Sequence, residues 1–166
     1  MPNRIFVDTS FVLALINQRD QYYHQAETLS HRFDNSLLIT TDAVVLEIGN
    51  ALAKDFRKEA VEIIRALRNS KRVEVVQVDE EFLEKGLKVY EKYNDKIWGL
   101  VDCISFVTMR ENGITEALTF DVDFAQAGFT VLKTNRRFPI IRSNGRTDCL
   151  LPDFASFNRR HFDDLD

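Results

Sequence analysis

Short apolar segments alternate with longer segments of helical periodicity, and this alternation is the strongest constraint on how the chain can fold. Strands are predicted at 4–8, 37–40, 73–78, 117–120 and 130–132. Helices are predicted after residue 9, at 22–34, 42–54 (with Asp42 as N-cap), 57–70, 80–93 and 101–112, with a helical turn before the last strand. Strands joined through helices pair in parallel by right-handed crossovers, with helices on both faces. We therefore expect a three-layer α/β fold, with a central mostly parallel sheet of four to five strands flanked by helices.

Two acidic residues follow directly after predicted strands. Asp8 ends the apolar run IFV, and Asp121 follows the segment ALTF. Sheets of this kind bind ligands at the carboxyl ends of their strands, near the point where the strand order reverses. A local alternative exists for each residue, because an aspartate at this position also caps the helix that follows it. The two roles are compatible, so both residues are candidate ligands.

Two further carboxylates lie on predicted helices. Asp102 interrupts the segment LVDCISFVTM, where an unpaired buried carboxylate costs several kcal/mol. The alternative is that Asp102 is the N-cap, since Gly99 marks a helix start nearby. Glu47 borders the apolar arc of its helix with Asn50 beside it on the same face, and the alternative there is a solvated surface residue.

Together these carboxylates predict a metal site. Gathered closely, they would repel one another and retain protons unless a divalent cation compensated. Asp123 can share the cation with Asp121, and Thr119 can supply a hydroxyl to the same pocket. Oxygen ligands favour Mg²⁺ or Mn²⁺ over zinc, and hydrolysis of phosphodiester bonds is the chemistry that suits such a site.

Composition is that of one soluble domain. The chain has 166 residues, of which 45% are hydrophobic and 29% charged. No apolar run approaches the roughly 20 residues that cross a bilayer, and the first strand leaves no room for a secretory signal. Cys103 and Cys149 form no disulfide framework or zinc motif. We expect a reduced, cytoplasmic protein without a membrane partner.

The charge distribution is uneven around a net charge of −4. Residues 54–72 hold seven Lys or Arg against three acids, and the non-periodic segment 133–166 is also basic. An acidic centre with basic flanks suits an enzyme that binds metal centrally and phosphates around it; solvated helix faces are the alternative. Candidate phosphate contacts in the last segment are Arg136, Arg137, Arg142 and Arg146. Candidate base-stacking aromatics, which could equally pack internally, are Tyr22, Tyr23 and Trp98.

Four segments together resemble the PIN-domain family and its VapC-type toxin ribonucleases. They are FVDTSFVLALIN, VVLEIGNAL, LVDCISFVTMRENGI and ALTFDVDFAQAGFTVL, in the family's order within residues 1–132. By this resemblance Asp8, Glu47, Asp102 and Asp121 take the four acidic catalytic positions, Asp123 is auxiliary, and Ser10 and Asn50 are supporting residues. Gly99 departs from the family, whose members often carry Ser or Thr there. Residues 133–166 have no counterpart and form a C-terminal extension of uncertain order.

The resemblance implies a Mg²⁺- or Mn²⁺-dependent endoribonuclease, a homodimer, and inhibition by a cognate antitoxin. Asp8, Asp102 and Asp121 would be the principal ligands, while Glu47 would hold a second ion or a metal-bound water. The alternative is a non-catalytic PIN-like module that binds RNA or protein. A metal-dependent phosphatase is disfavoured because Thr9 and Ser10 follow Asp8, so the first strand lacks a DxD pair.

Overall fold

The computed structural model describes residues 3–134. The strands are β1 (Arg4–Val7), β2 (Leu37–Thr41), β3 (Val73–Val76), β4 (Glu116–Leu118) and β5 (Thr130–Val131). The helices are α1 (Thr9–Ile16), α2 (Tyr23–Arg32), α3 (Asp42–Ala51), α4 (Arg57–Asn69), α5 (Glu80–Lys92), α6 (Leu100–Glu111) and α7 (Val122–Gln126). The predictions for the segment beyond 134, including its four arginines, lie outside the described residues. No helix within the described range is long and apolar enough to cross a membrane.

The five strands form one sheet in the order β3-β2-β1-β4-β5, and every pairing is parallel. From β1 the chain moves outward to β2 and β3, then returns to add β4 and β5 on the other side. Right-handed crossovers therefore place α1–α4 on one face and α5–α7 on the other. This confirms the predicted three-layer α/β fold. The strand order reverses between β1 and β4, which is where such sheets bind ligands.

Aromatic rings fill the space between the sheet and the α6 layer. The ring of Phe106 on α6 lies 5.0 Å from that of Phe124 on α7 and 5.1 Å from that of Trp98. Phe6 on β1 lies 6.0 Å from Phe124, and all three phenylalanines are fully buried. Burial of each phenylalanine side chain contributes about 1.5–3 kcal/mol to the stability of the fold. These contacts fix the start of α6 against the carboxyl end of β1.

Several element boundaries differ from those predicted. The N-cap of α3 is Thr41 rather than Asp42, since the Thr41 hydroxyl accepts the N–H of Val44 at 3.2 Å. The Asp42 carboxylate instead accepts the N–H of Val78 at 3.0 Å, which draws the chain away from the sheet after Val76. The helix α3 ends at Ala51, three residues before the predicted end. The strand β4 is likewise shorter than predicted and ends at Leu118.

Candidate active site

Asp8 and Asp121 lie side by side because β1 and β4 are neighbours in the sheet. Val7 pairs with Leu118, and the N–H of Asp8 donates to the carbonyl of Leu118 at 3.1 Å. Each aspartate is also an N-cap: Asp8 accepts the N–H of Ser10, and Asp121 accepts the N–H of Asp123 at 2.9 Å. Both aspartates therefore cap helices, as the alternative predicted. Both also lie at the carboxyl ends of neighbouring strands, where the ligand role requires them.

Two hydroxyl groups bind the Asp8 carboxylate to the chain leaving β4. Asp8 Oδ2 accepts hydrogen bonds from the hydroxyls of Ser10 and Thr119, at 2.6 and 2.8 Å. The same hydroxyls accept backbone N–H groups, from Phe120 at 3.0 Å and from Asp121 at 2.9 Å respectively. Ser10 and Thr119 thus fix the position of one carboxylate relative to the other.

Asp102 lies in the first turn of α6, in the helix layer on the other face of the sheet from α1–α4. The N-cap of α6 is Gly99, three residues before Asp102, so the alternative in which Asp102 is the N-cap does not hold. Asp102 Oδ2 instead accepts the N–H of Gly99 at 2.8 Å. A Cβ at position 99 would lie 3.0 Å from that oxygen, so the glycine leaves the carboxylate room.

Glu47 is half-buried on α3, and its partner is a residue that the sequence did not single out. The Thr9 hydroxyl donates to Glu47 Oε2. Asn50 is exposed, and within the described range no hydrogen bond joins it to Glu47. The overlooked signal is the position of Thr9, because a hydroxyl residue directly after a strand-end aspartate faces the same pocket.

The carboxylates converge at this edge of the sheet. One carboxylate oxygen from each of Asp102, Asp121 and Asp123 lies within 4.8 Å of the others. The pKa of Asp102 is raised to about 7, first by burial and then by the nearby charges of Asp8, Asp121 and Glu47, while the hydrogen bond from Gly99 lowers it in part. The cluster thus has the mutual repulsion that the sequence predicted.

The two other perturbed carboxyl groups have related causes. Burial raises the pKa of Asp8 from its ordinary value, and the hydrogen bonds from Ser10 and Thr119 lower it in part. Burial and then the charge of Asp121 raise the pKa of Asp123. A divalent cation would remove these penalties, and a site made only of carboxylate oxygens fits Mg²⁺ or Mn²⁺. The residues present therefore fit the predicted metal.

Two of the three aromatic residues proposed for base stacking are buried in the core. Trp98 is 6% exposed and packs against Tyr93 and Phe106, and Tyr23 is 8% exposed. Both are therefore unavailable to a base. Tyr22 stacks on Phe120, the residue directly before Asp121, with ring centroids 4.4 Å apart.

Acidic residues converge at the strand-order reversal of a parallel sheet, and the PIN-domain model matches residues 5–130 of this chain. The chain belongs to the PIN-domain family, which confirms the resemblance seen in the sequence. It is similar to the 23S rRNA-specific endonuclease VapC20 of Mycobacterium tuberculosis, with 32% identity over 129 residues, 78% of this chain and 98% of the relative. The crystal structure of that protein, described as a sarcin-ricin loop cleaving toxin, aligns with a TM-score of 0.73 and 31% identity, covering 78% of this chain and 99% of the other.

More distant structures share the fold alone. FitAcB from Neisseria gonorrhoeae aligns with a TM-score of 0.56 at 15% identity, over 77% of this chain and 96% of the other. VapBC2 from Rickettsia felis, bound to a promoter DNA fragment, aligns with a TM-score of 0.56 at 12% identity, over 78% and 97% of the two chains. At these identities the match supports the architecture and its topology.

Proposed function

We propose that this protein is a divalent-metal-dependent endoribonuclease that hydrolyses RNA phosphodiester bonds, and that it is the toxin of a toxin–antitoxin pair. The convergence of Asp102, Asp121 and Asp123 at the strand-order reversal is the observation that carries the proposal. The 32% identity to an rRNA-specific endonuclease over nearly its whole length supports RNA as the substrate. By the same similarity we propose ribosomal RNA as the substrate class, with a cytoplasmic site of action.

In the proposed mechanism Asp8, Asp102 and Asp121 would hold the metal ion, with Asp123 beside them. The ion, when bound, polarises the phosphate and lowers the pKa of a coordinated water. Ser10 and Thr119 keep Asp8 in place relative to Asp121, so the ligand set is formed before substrate arrives. Orientation by such supporting groups typically changes metal affinity or activity 10- to 100-fold.

Glu47 has a separate role in this mechanism. Its carboxylate is fixed by the Thr9 hydroxyl and lies close enough to raise the pKa of Asp102. We assign it to orienting the attacking water and accepting its proton, or to holding a second ion. Which of these applies depends on how many metal ions bind.

The proposed protein partners rest on the resemblance to VapC-type toxins. VapBC-1 of Haemophilus influenzae aligns with a TM-score of 0.54 at 19% identity, over 78% of this chain and 96% of the other. We propose a cognate antitoxin protein that inhibits the toxin, and a homodimer as the working form. Size-exclusion chromatography with light scattering tests the dimer, and a monomer mass at micromolar concentration would contradict it.

The decisive experiment compares wild type with Asp8→Asn on a cellular RNA pool, with Mn²⁺ and with EDTA. Cleavage by wild type in Mn²⁺ alone, lost in the variant, is the expected result. A non-catalytic RNA-binding module predicts the opposite pattern, with tight RNA binding and no cleavage by either protein. Cleavage by wild type that persists in EDTA would remove the metal from the mechanism.

A further inference from the structure

Three aromatic rings are stacked in a row that ends beside the active site. Phe120 contacts both of the other rings: its centroid lies 6.0 Å from that of Phe11 and 4.4 Å from that of Tyr22, with interplanar angles of 22° and 5°. Phe11 is buried, whereas Phe120 and Tyr22 are half-buried. The row of ring contacts therefore begins in the core at Phe11 and ends toward the surface at Tyr22.

Direct contacts place these rings at the edge of the sheet where the carboxylates converge. Phe120 directly precedes Asp121, and its N–H donates to the Ser10 hydroxyl at 3.0 Å. The same hydroxyl donates to the Asp8 carboxylate at 2.6 Å. The ring under Tyr22 thus belongs to a residue that is joined to one strand-end aspartate by a peptide bond and to the other through a single hydroxyl.

The position of Tyr22 is fixed before any ligand binds. Asp20 Oδ1 accepts the Tyr22 N–H at 2.8 Å, and the Tyr22 carbonyl accepts the N–H of Ala26 at 2.9 Å. In the part of the chain that the structure describes, Nε1 of Trp98 is the only buried side-chain polar atom without a partner, so the unpaired Tyr22 hydroxyl reaches solvent. A rigid ring of this kind binds a planar ligand at a low cost in conformational entropy.

No ion pair among residues 3–134 includes a site carboxylate. A lysine or arginine bound to those carboxylates would compete with the metal ion, yet without cations the approaching RNA is repelled. Stacking of a base on an aromatic ring supplies attraction without a positive charge, and every base has a face that can stack. An aromatic ring is therefore the type of group that can bind RNA next to a metal site made of carboxylates.

We propose that Tyr22, supported by Phe120, is a stacking platform for an unpaired base next to the scissile phosphate of the RNA. This inference rests on the proposed ribonuclease function. The base must be unpaired, because a base within a duplex already stacks on its neighbours, whereas bases in loops can turn outward onto aromatic side chains. A base held on Tyr22 brings its phosphate to the carboxyl ends of β1 and β4, since the ring contacts the segment that leaves β4.

The test compares two substitutions of the same residue. Tyr22→Leu removes the ring and keeps an apolar side chain against Phe120, whereas Tyr22→Phe keeps the ring and removes only the hydroxyl. Tyr90→Leu is the matched control, because Tyr90 is a 50% exposed tyrosine on α5, in the other helix layer. Thermal melts establish that each variant is folded. The probes are RNA hairpins in EDTA that carry 2-aminopurine at successive loop positions, since stacking quenches the fluorescence of this base.

Wild type and Tyr22→Phe should quench the fluorescence at one loop position, and Tyr22→Leu should lose that quenching. The RNA affinity of Tyr22→Leu should fall about 5- to 100-fold, as expected for the loss of one stacked base. The slope of log affinity against log salt should stay that of wild type, because no phosphate contact is removed. Tyr22→Phe and Tyr90→Leu should keep the affinity of wild type within about twofold.

In Mn²⁺, kcat/KM of Tyr22→Leu should fall by the same factor as its RNA affinity. Its Mn²⁺ affinity should equal that of wild type, because Tyr22 supplies no ligand to the metal. A loss of Mn²⁺ affinity that matches the loss of cleavage would overturn the inference and assign Tyr22 to the support of Asp121.

Three further results overturn the inference. The first is a wild type that quenches no loop position, which requires no variant. The second is a Tyr22→Leu variant with the RNA affinity of wild type, which would assign the ring to packing alone. The third is an equal loss from Tyr22→Phe, which would assign the effect to the hydroxyl. A wild type that quenches one base through Tyr22 but cleaves no RNA in Mn²⁺ would refute the proposed function and leave the stacking platform standing.

Discussion

At the scale of single residues, each site carboxylate is held by a group that also has a structural role. The Ser10 and Thr119 hydroxyls donate to Asp8 while accepting backbone N–H groups from the turn after β4. The N–H of Gly99, the N-cap of α6, donates to the Asp102 carboxylate and so holds it in place. Buried polar groups that serve two partners resist reorientation, so the ligands are positioned by the fold itself.

Thr119→Val should reduce kcat/KM about 10- to 100-fold and lower the free energy of unfolding by about 1–3 kcal/mol, because the partly buried Asp121 N–H loses its acceptor. The substitution removes a donor to Asp8 and an acceptor for the Asp121 N–H, so both strand-end ligands lose their orientation. Mn²⁺ affinity and cleavage rate measure the effect. Thr40→Val is the control, because Thr40 is equally buried but donates to the Val7 carbonyl. Equal losses from both variants would show a general packing effect.

Asp102→Asn should abolish metal-dependent cleavage and raise the stability of the metal-free protein at neutral and higher pH. The folded-state pKa, about 7, exceeds the ordinary 3.8, so the folded state binds more protons between these values. Stability of wild type therefore falls as pH rises from 4 to 7, and stays low above 7. The gain in the free energy of unfolding from Asp102→Asn is at most about 4 kcal/mol. Partial exposure of the side chain reduces it to about 2 kcal/mol.

Urea unfolding in EDTA across pH tests this prediction. The stability difference between Asp102→Asn and wild type should vanish near pH 4 and reach its maximum above pH 7. Added Mn²⁺ should stabilise wild type and leave the variant unchanged, because the variant lacks a ligand. A variant that still cleaves RNA would remove Asp102 from the site.

At the scale of elements, the antiparallel contact of α5 with α6 depends on one glycine. Gly86 is the buried position of α5, and a Cβ there would lie 2.6 Å from Ile104 Cγ1. Gly86→Ala should destabilise the protein by about 1–3 kcal/mol through overpacking. Urea midpoints measure this, and Gly86→Ala with Ile104→Ala should cost less than the sum of the two single changes. Additivity in that cycle would show that the two residues do not meet.

Element type could be predicted from the sequence, whereas element ends could not. The periodicity of α6 and the β-branched run of β3 depend on many residues, so single competing interactions do not alter them. The end of β3 depends on one hydrogen bond between Asp42 and the Val78 N–H, which joins segments 36 residues apart. The same limit applies within the site. Asp8 and Asp121 could be placed by strand position, but the Thr9–Glu47 bond joins separate elements, so the position of Thr9 beside Asp8 does not identify Glu47 as its partner.

At the scale of the whole molecule, the sheet order brings distant acids together. Glu47 and Asp102 lie on helices of opposite layers, and Asp8 and Asp121 follow neighbouring strands. The pairing of β1 with β4, which are far apart in the sequence, brings Asp8 and Asp121 together. The site is therefore a property of the complete domain.

Truncation after Thr134 should leave both the fold and metal-dependent cleavage intact. The family match ends at residue 130, and the described elements end with β5 at Val131. Every site carboxylate and its hydrogen-bond partners lie before that point. The shortened protein should retain the melting temperature of the full chain within a few degrees, together with its Mn²⁺ affinity and kcat. A shortened protein that fails to fold would show that the C-terminal residues belong to the core, and a folded one with raised KM alone would assign them to RNA binding.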